Sequence, residues 1–383
     1  MDSAQPSPEL LRAVTDERIL RALMAGRRLT RAELAARTGL SKPTAGESVR
    51  RLAEAGLVAD TGARTPGGRG RGRVGSYYAL AGDAGLALAL SIAPAGVVGE
   101  GLDSYGDIIA RIEQPLDRPA RPAQVAEAVT GTARQLQAAA GSPFRVAVVS
   151  AADPVDRTTG RLVHLPDAPF LLGELAPAEL LAPHVRGPVV VDNDVNWAAR
   201  AERAAGPSAG LDDFAYAYLG EGLGCAIVSD GEVRRGHTGI AGEIAHLITT
   251  GARGRAVPLT EVFAQLGLRH SGSTAVNVGA LLAAVDGPGT RASETTGVLA
   301  RAVSGVLAAM VALADPELIV IGGPWGGHPH VVSAIRAEFG RLPRHVPVRM
   351  AEVTGEPALA GVRSHALDSL RAAVVAGAAR RGR

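Results

Sequence analysis

The chain has one cysteine, Cys225, in 383 residues, so neither an internal disulfide nor a multi-thiolate metal site can form. Its chemistry must come from oxygen and nitrogen groups. Aromatic residues make up only 3% of the chain, too few for the long stacking platforms that grip sugars or single-stranded nucleic acid. No run of 18 uninterrupted apolar residues occurs, and the first 25 positions lack a basic segment followed by an apolar one. That pattern disfavours membrane insertion and export, and a soluble cytoplasmic protein is expected. What is plentiful is apolar material: hydrophobic residues are 46% and charged residues 20% of the chain. This supplies packed cores for two or three domains and excludes general disorder.

The net charge of +2 conceals an asymmetry. Residues 1–75 carry 14 Lys and Arg against 8 Asp and Glu, leaving 26 basic and 30 acidic residues in 76–383. A head of +6 therefore precedes a body of −4. A basic excess confined to one end points to a nucleic-acid-binding module joined to a domain with another task.

The head has helical punctuation. Thr15-Asp16-Glu17-Arg18 offers a hydroxyl cap followed by acids, then Ile19, Leu20, Leu23 and Met24 at helical spacing, with Gly26 as the stop. Thr30 caps a second helix with Glu33 at the capping-box position, and Gly39 supplies a sharp turn with Leu40 as an apolar plug. Ser41 caps a third helix, with Pro43 in its first turn and Gly56 past its end. Helix, short turn and helix at this spacing predict a helix-turn-helix, whose second helix enters the major groove by its N-terminal end. Lys42, Thr44, Ala45 and Ser48 are placed on its exposed face. Arg31, Ser41, Lys42, Thr44 and Ser48 are the candidate contacts to bases or phosphates, and Arg50 and Arg51 the candidates for the DNA backbone. Residues 64–73 are glycine- and arginine-rich and lie where a winged helix puts its hairpin tip. Arg69, Arg71 and Arg73 are the expected minor-groove contacts, and Tyr77–Leu80 the closing strand. The same glycines also suit a flexible linker.

Behind residue 80, extended apolar runs (86–92, 145–150, 188–192, 215–219 with 225–228, and 318–321) alternate with helical stretches (122–140, 195–204 and 294–314). That alternation predicts an α/β body with covered sheets. Four segments stand out: Val189-Val190-Val191-Asp192-Asn193-Asp194-Val195-Asn196; Gly220-Glu221-Gly222-Leu223-Gly224 with Asp230-Gly231; Gly239-Ile240-Ala241-Gly242-Glu243-Ile244-Ala245-His246; and Asp315-Pro316-Glu317-Leu318-Ile319-Val320-Ile321-Gly322-Gly323. In this order they resemble the motifs of the ROK family of repressors and sugar kinases. With a winged helix in front, the likeness is to its repressor branch.

The resemblance implies a winged helix-turn-helix over 1–80 and a two-lobed, actin-like, hexokinase-like effector and dimerisation body over 81–383. It implies a sugar held by Asn193, Asp194, Glu243, His246 and Glu261. The chemistry is sound on its own terms: vicinal hydroxyls both donate and accept, so carboxylates and an amide in a dry cleft recognise them directionally. Asp194 also suits a helix cap, and His246 a structural role. Two features of the family's kinases are altered. Where they carry Asp-x-Gly-x-Thr for ATP phosphates, this chain reads Ser91-Ile92-Ala93-Pro94-Ala95, with a proline that removes an amide donor. The second phosphate hairpin carries Glu221, whose charge at ~4 Å from a phosphate repels by several kcal/mol. The three cysteines that usually follow the signature histidine are missing too, so no zinc site of the family kind is expected. Arg253 and Arg255 in that loop are possible partners for a sugar phosphate.

The expectation is a DNA-binding regulator, a repressor rather than an activator, without catalytic residues, metal or cofactor. Its partners are a double-stranded DNA operator and a sugar or sugar-phosphate effector, and it works as a homodimer or dimer of dimers. The alternatives are a body that docks a partner protein, or an ATP-dependent sugar kinase with a DNA-binding head.

Overall fold

A computed structural model describes residues 7–65, 75–82, 85–165, 170–171, 173–206 and 208–381. The head comprises α1 (Pro8–Gly26), β1 (Arg28–Thr30), α2 (Arg31–Thr38), α3 (Lys42–Glu54), β2 (Val58–Arg64) and β3 (Ser76–Leu80). The capping box on α2 forms as its sequence demands: the Thr30 hydroxyl accepts from the Glu33 amide at 3.2 Å, and the Glu33 carboxylate accepts from the Thr30 amide at 2.8 Å. Gly39 at φ +69° takes the left-handed turn between α2 and α3. Ser41 caps α3 by accepting from the Thr44 amide at 3.2 Å. The three strands pair antiparallel in the order β1-β3-β2. Thr15 does not start the first helix. α1 is already under way from Pro8, and the Thr15 hydroxyl donates back to the Arg12 carbonyl at 2.8 Å.

The first lobe of the body contains β4 (Ala87–Ala93), β5 (Gly96–Leu102), β6 (Ile108–Pro115), α4 (Pro122–Ala140), β7 (Val146–Ala151), α5 (Pro177–Leu181) and β8 (Val189–Asn193). The chain then crosses to α6 (Asp194–Ala205), β9 (Phe214–Leu219), β10 (Leu223–Ser229), β11 (Glu232–Val233), β12 (Ile248–Thr250), β13 (Ala256–Pro258), α7 (Leu259–Gln265), α8 (Val278–Asp286) and α9 (Thr290–Ala314). It ends with β14 (Leu318–Gly322), α10 (Pro329–Phe339), β15 (Val348–Met350) and α11 (Pro357–Arg381). The two large sheets share one plan. Their orders, β6-β5-β4-β7-β8 and β11-β10-β9-β14-β15, both run third, second, first, fourth, fifth, with the last three strands parallel. This is the expected two-lobed body, with the topology duplicated although the sequence shows no repeat. The central strands β4, β7 and β14 are buried almost throughout, which is why they read as continuous apolar runs.

Helix α9 is long and apolar enough to cross a bilayer. Its Leu299, Val303, Leu307 and Met310 are instead buried with Phe263, Trp325 and Ile335 in the core of the second lobe, so packing accounts for its apolarity.

α11 returns to the first lobe and lies against α6, β4, β7 and α1. Gly361 permits the close α6–α11 approach, since a Cβ there would stand 2.1 Å from the Trp197 carbonyl oxygen. Ile19, Leu20 and Leu23 of α1 form one continuous core with Leu370 and Val374 of α11 and with Ala87 and Val146 of the first-lobe sheet. Polar contacts reinforce this join at the β5–β6 turn. Arg27 forks onto Asp107 at 2.5 and 2.6 Å. The Tyr105 hydroxyl accepts from the Leu80 amide at 3.0 Å, and Arg371 donates to the Ser104 and Tyr105 carbonyls.

Nearby, the fully buried Glu100 carboxylate accepts from Arg363 at 2.7 and 2.9 Å and from Arg111 at 2.7 Å. Burial pushes its pKa up, but the two guanidiniums outweigh burial and hold it below the ordinary value of 4.5. The folded state therefore gains stability from the ionised form, and this gain is lost as pH falls below 4.5. Glu100→Gln is expected to lower stability at pH 7 by about 3–5 kcal/mol and to weaken the acid dependence below pH 4.5, both read by urea denaturation.

Candidate functional site: a basic helix face and an acidic interlobe cleft

On the head, Arg31, Ser41, Lys42, Thr44 and Arg50 are exposed. The Arg31 stem passes beside Gly46 of α3, and its guanidinium stacks over the Tyr78 ring at 5.0 Å, which brings it to the recognition helix. Arg50 is engaged along its own helix with Glu47 and, at 2.6 Å, with Glu54. The exposed face expected of α3 is corrected at Ala45 and Ser48. Ser48, like Ala45, is buried rather than exposed, because Ala45, Ser48, Val49 and Leu52 form the inward stripe of α3. The Ser48 hydroxyl donates to Asp16 of α1. Arg51 also turns inward, pairing with Asp16 at 2.6 Å, and so ties α3 to α1. Arg69, Arg71 and Arg73 lie outside the described residues.

A cavity of about 630 Å³ opens between the two lobes of the body. Asn193, Asp194, Glu243 and His246 all reach its wall. β8 delivers Asn193 as the cap of α6: its side-chain oxygen accepts from the Val195 amide at 2.9 Å, and its nitrogen donates to the Ala151 and Asp153 carbonyls at 3.4 Å. The capping task thus falls to Asn193, while Asp194 opens the helix and also accepts from the Val195 amide at 2.8 Å. Gly242, at φ +102°, presses the signature loop against β10. Its carbonyl accepts from the Cys225 amide at 2.9 Å, and a Cβ would stand 2.0 Å from the Cys225 carbonyl oxygen. This close approach sets Glu243 over the cavity.

Glu261 does not join them. The inward positions of α7 go to Leu259, Thr260, Val262 and Phe263, with Thr260 on the cavity wall, and Glu261 turns outward, 4.0 Å from Arg269. Arg253 and Arg255 are exposed on the β12–β13 hairpin and are not part of the wall.

The structure adds three residues that sequence reasoning missed: Asp153, Arg118 and Tyr218. Asp153 follows β7 at the carboxyl edge of a parallel pair, where open α/β sheets place ligands, and that position was its available signal. It is 2% exposed. Burial, and then the charges of Asp194 and Glu243, push its pKa up to about 7. Burial also pushes Asp194 up to about 6, while burial followed by the Asp194 charge lifts Glu243, which opens to the cavity, to about 7. The Cys225 thiol is pushed up to about 12 by burial, which makes it a poor nucleophile. Across the mouth, Arg118 of the first lobe donates to both oxygens of Glu221 in the β9–β10 turn at 2.7 and 2.9 Å.

A ROK family model matches residues 102–354, two thirds of the chain, and a winged helix-turn-helix DNA-binding model matches residues 12–59. The chain belongs to the ROK family. It is 28% identical over 163 residues to a glucokinase of Streptomyces coelicolor, which is 43% of this chain and 50% of that one. The chain thus spans about half the length of the curated relative it matches there. The fold is that of a solved ROK family transcriptional regulator, a homologue of the E. coli MLC protein, with a TM-score of 0.63, 19% identity and coverage of 95% of this chain and 99% of that one. A ROK glucokinase from Streptomyces griseus, solved with glucose and AMPPNP, aligns over 74% of this chain and 99% of its own with a TM-score of 0.56 and 24% identity. The chain thus joins a winged helix-turn-helix DNA-binding segment to a ROK body.

Within this ROK body, the segment that follows the signature histidine forms the β12–β13 hairpin. The Thr249 hydroxyl anchors it by donating to the Ala302 carbonyl of α9 at 2.6 Å. The raised acids of the cleft set a pH dependence opposite to that of Glu100. The folded state keeps protons that the unfolded chain releases between about pH 4 and 7, so these groups make stability fall as pH rises through that window. Asp153→Asn is expected to flatten that slope and raise stability at pH 8 by about 2–4 kcal/mol in thermal or urea unfolding.

Proposed function

We propose that this ROK protein is a sugar-responsive transcriptional repressor that works as a homodimer and does not phosphorylate its sugar. The observation that carries this reading is the join between head and cleft. β4 and β7 pack through α11 onto α1; β4 ends at Ala93 and β7 leads into Asp153, both on the cavity wall. A ligand that changes lobe closure therefore acts on the body to which the recognition helix is fixed. It alters DNA affinity by as much as its affinities for the two states differ. In a two-fold dimer, two such heads read half-sites about one helical turn apart. The boundary at 80/81 separates the DNA-reading and effector units in function, although they share a core.

Two features support a sensor over a kinase. Ala93, Pro94 and Ala95 line the cleft where the resemblance implies the first phosphate turn, and Glu221 with its partner Arg118 occupies the second. Those same features, with Asp153, Asp194 and Glu243 on the wall, favour an unphosphorylated sugar over a sugar phosphate. The competing reading as a kinase draws on Asp194, a carboxylate in the cleft that could serve as a general base. ATP-dependent phosphorylation of a sugar, abolished by Asp194→Asn, would establish it.

An electrophoretic shift assay on the DNA upstream of its own coding sequence tests the proposal. The expected result is a sequence-selective complex that weakens steeply with salt. Lys42→Ala should reduce affinity about tenfold and lower the salt slope by about one. Salt-insensitive or sequence-indifferent binding would contradict the reading.

A further inference from the structure

We propose that the cleft contains a cation subsite built on Asp153, and that its effector is a sugar bearing a protonated amine. This inference rests on the reading of the cleft as a sugar site and names the chemical class of its ligand. The side chain of Asp153 is 2% exposed and lines the cavity. It accepts one hydrogen bond from the Leu171 amide, and its Oδ2 has no hydrogen-bond partner among the described residues. A buried carboxylate oxygen left unpaired is costly, and a charged donor satisfies it best.

The surroundings point the same way. The titratable groups that share the wall with Asp153 are Asp194, Glu243, Glu221, His246, Tyr218, Cys225 and Arg118. Arg118 is the one arginine among the described lining residues, no lysine is present there, and its charge is already committed to Glu221. Burial raises the proton affinity of Asp153, Asp194 and Glu243, and the charge of Asp194 raises that of Asp153 and Glu243 further. In effect the cleft recruits protons to do what a bound cation would do. An ammonium group brings a compact charge and three donors to such a cluster. A hydroxyl brings a donor without the charge, and a phosphate adds to the repulsion.

Isothermal titration of the full chain with D-glucose, D-mannose and D-galactose against the corresponding 2-amino-2-deoxy sugars tests the inference. Each titration is run in two buffers of different ionisation enthalpy. At least one amino sugar is expected to bind about tenfold or more tightly than its parent hexose, with net release of protons as the carboxylates ionise around the ammonium. In Asp153→Asn that preference should shrink to about twofold. Should the variant fail to fold, the preference and proton release of the unmodified protein still decide. Hexoses binding as tightly as their amines, binding without proton release, or a preference that persists in Asp153→Asn would overturn the cation subsite and leave the sugar-site reading standing. Binding by none of the six would defeat both.

Discussion

The structure depends on a single apolar seam. α1 is the scaffold of the DNA-reading head, yet its Ile19, Leu20 and Leu23 are buried in the same core as Leu370 and Val374 of the last helix and Ala87 and Val146 of the first-lobe sheet. Burying such side chains contributes roughly 1.5–3 kcal/mol each, more than most exposed ion pairs supply. The Arg27–Asp107 fork, with both partners more than half exposed, orients the join and adds little to its strength. A head held by a shared core is carried by its lobe. A head held by a tether would drift free of it.

The cleft draws its character from charge. Other ROK chains named here act on sugars as glucokinases, and this body keeps the Asn-Asp pair and the signature Glu and His on the wall. The wall also carries a third, buried carboxylate, Asp153, and an arginine–glutamate pair across the mouth. The result is a hollow suited to donors and cations and unfavourable to polyanions. Glu100 in β5 of the first lobe shows the contrasting arrangement, a buried carboxylate supplied with two guanidiniums and settled below its ordinary pKa.

The legible parts of the sequence were those set by local stereochemistry. Thr30 with Glu33, Gly39 and Ser41 mark the head because capping and left-handed turns are written in adjacent residues. The five buried strand runs fall within a residue or two of β4, β7, β8, β9 with β10, and β14. Strand β5 escaped notice because it carries Gly99 and Gly101 in place of branched residues. A Cβ at Gly99 would meet Thr132 at 2.5 Å, a constraint from α4 that no local pattern reveals. The inward turn of Ser48 and Arg51 has the same origin. Both answer to Asp16, more than thirty residues away, and only the packing of α1 on α3 places it there. In the cleft, the motif residues were legible one by one. Asp153 acquires meaning only when the fold sets it beside Asp194 and Glu243.

Hydrogen–deuterium exchange under native conditions tests the shared seam most directly. Leu370→Ala cuts a fully buried side chain from α11, a change that costs about 2–5 kcal/mol in a packed core. If head and lobe are one solid, the amides of α1 and α3 lose protection together with those of α11. If α11 opens while α1 and α3 keep the protection of the unmodified protein, the head stands on its own core, and the coupling of cleft to DNA must be sought elsewhere.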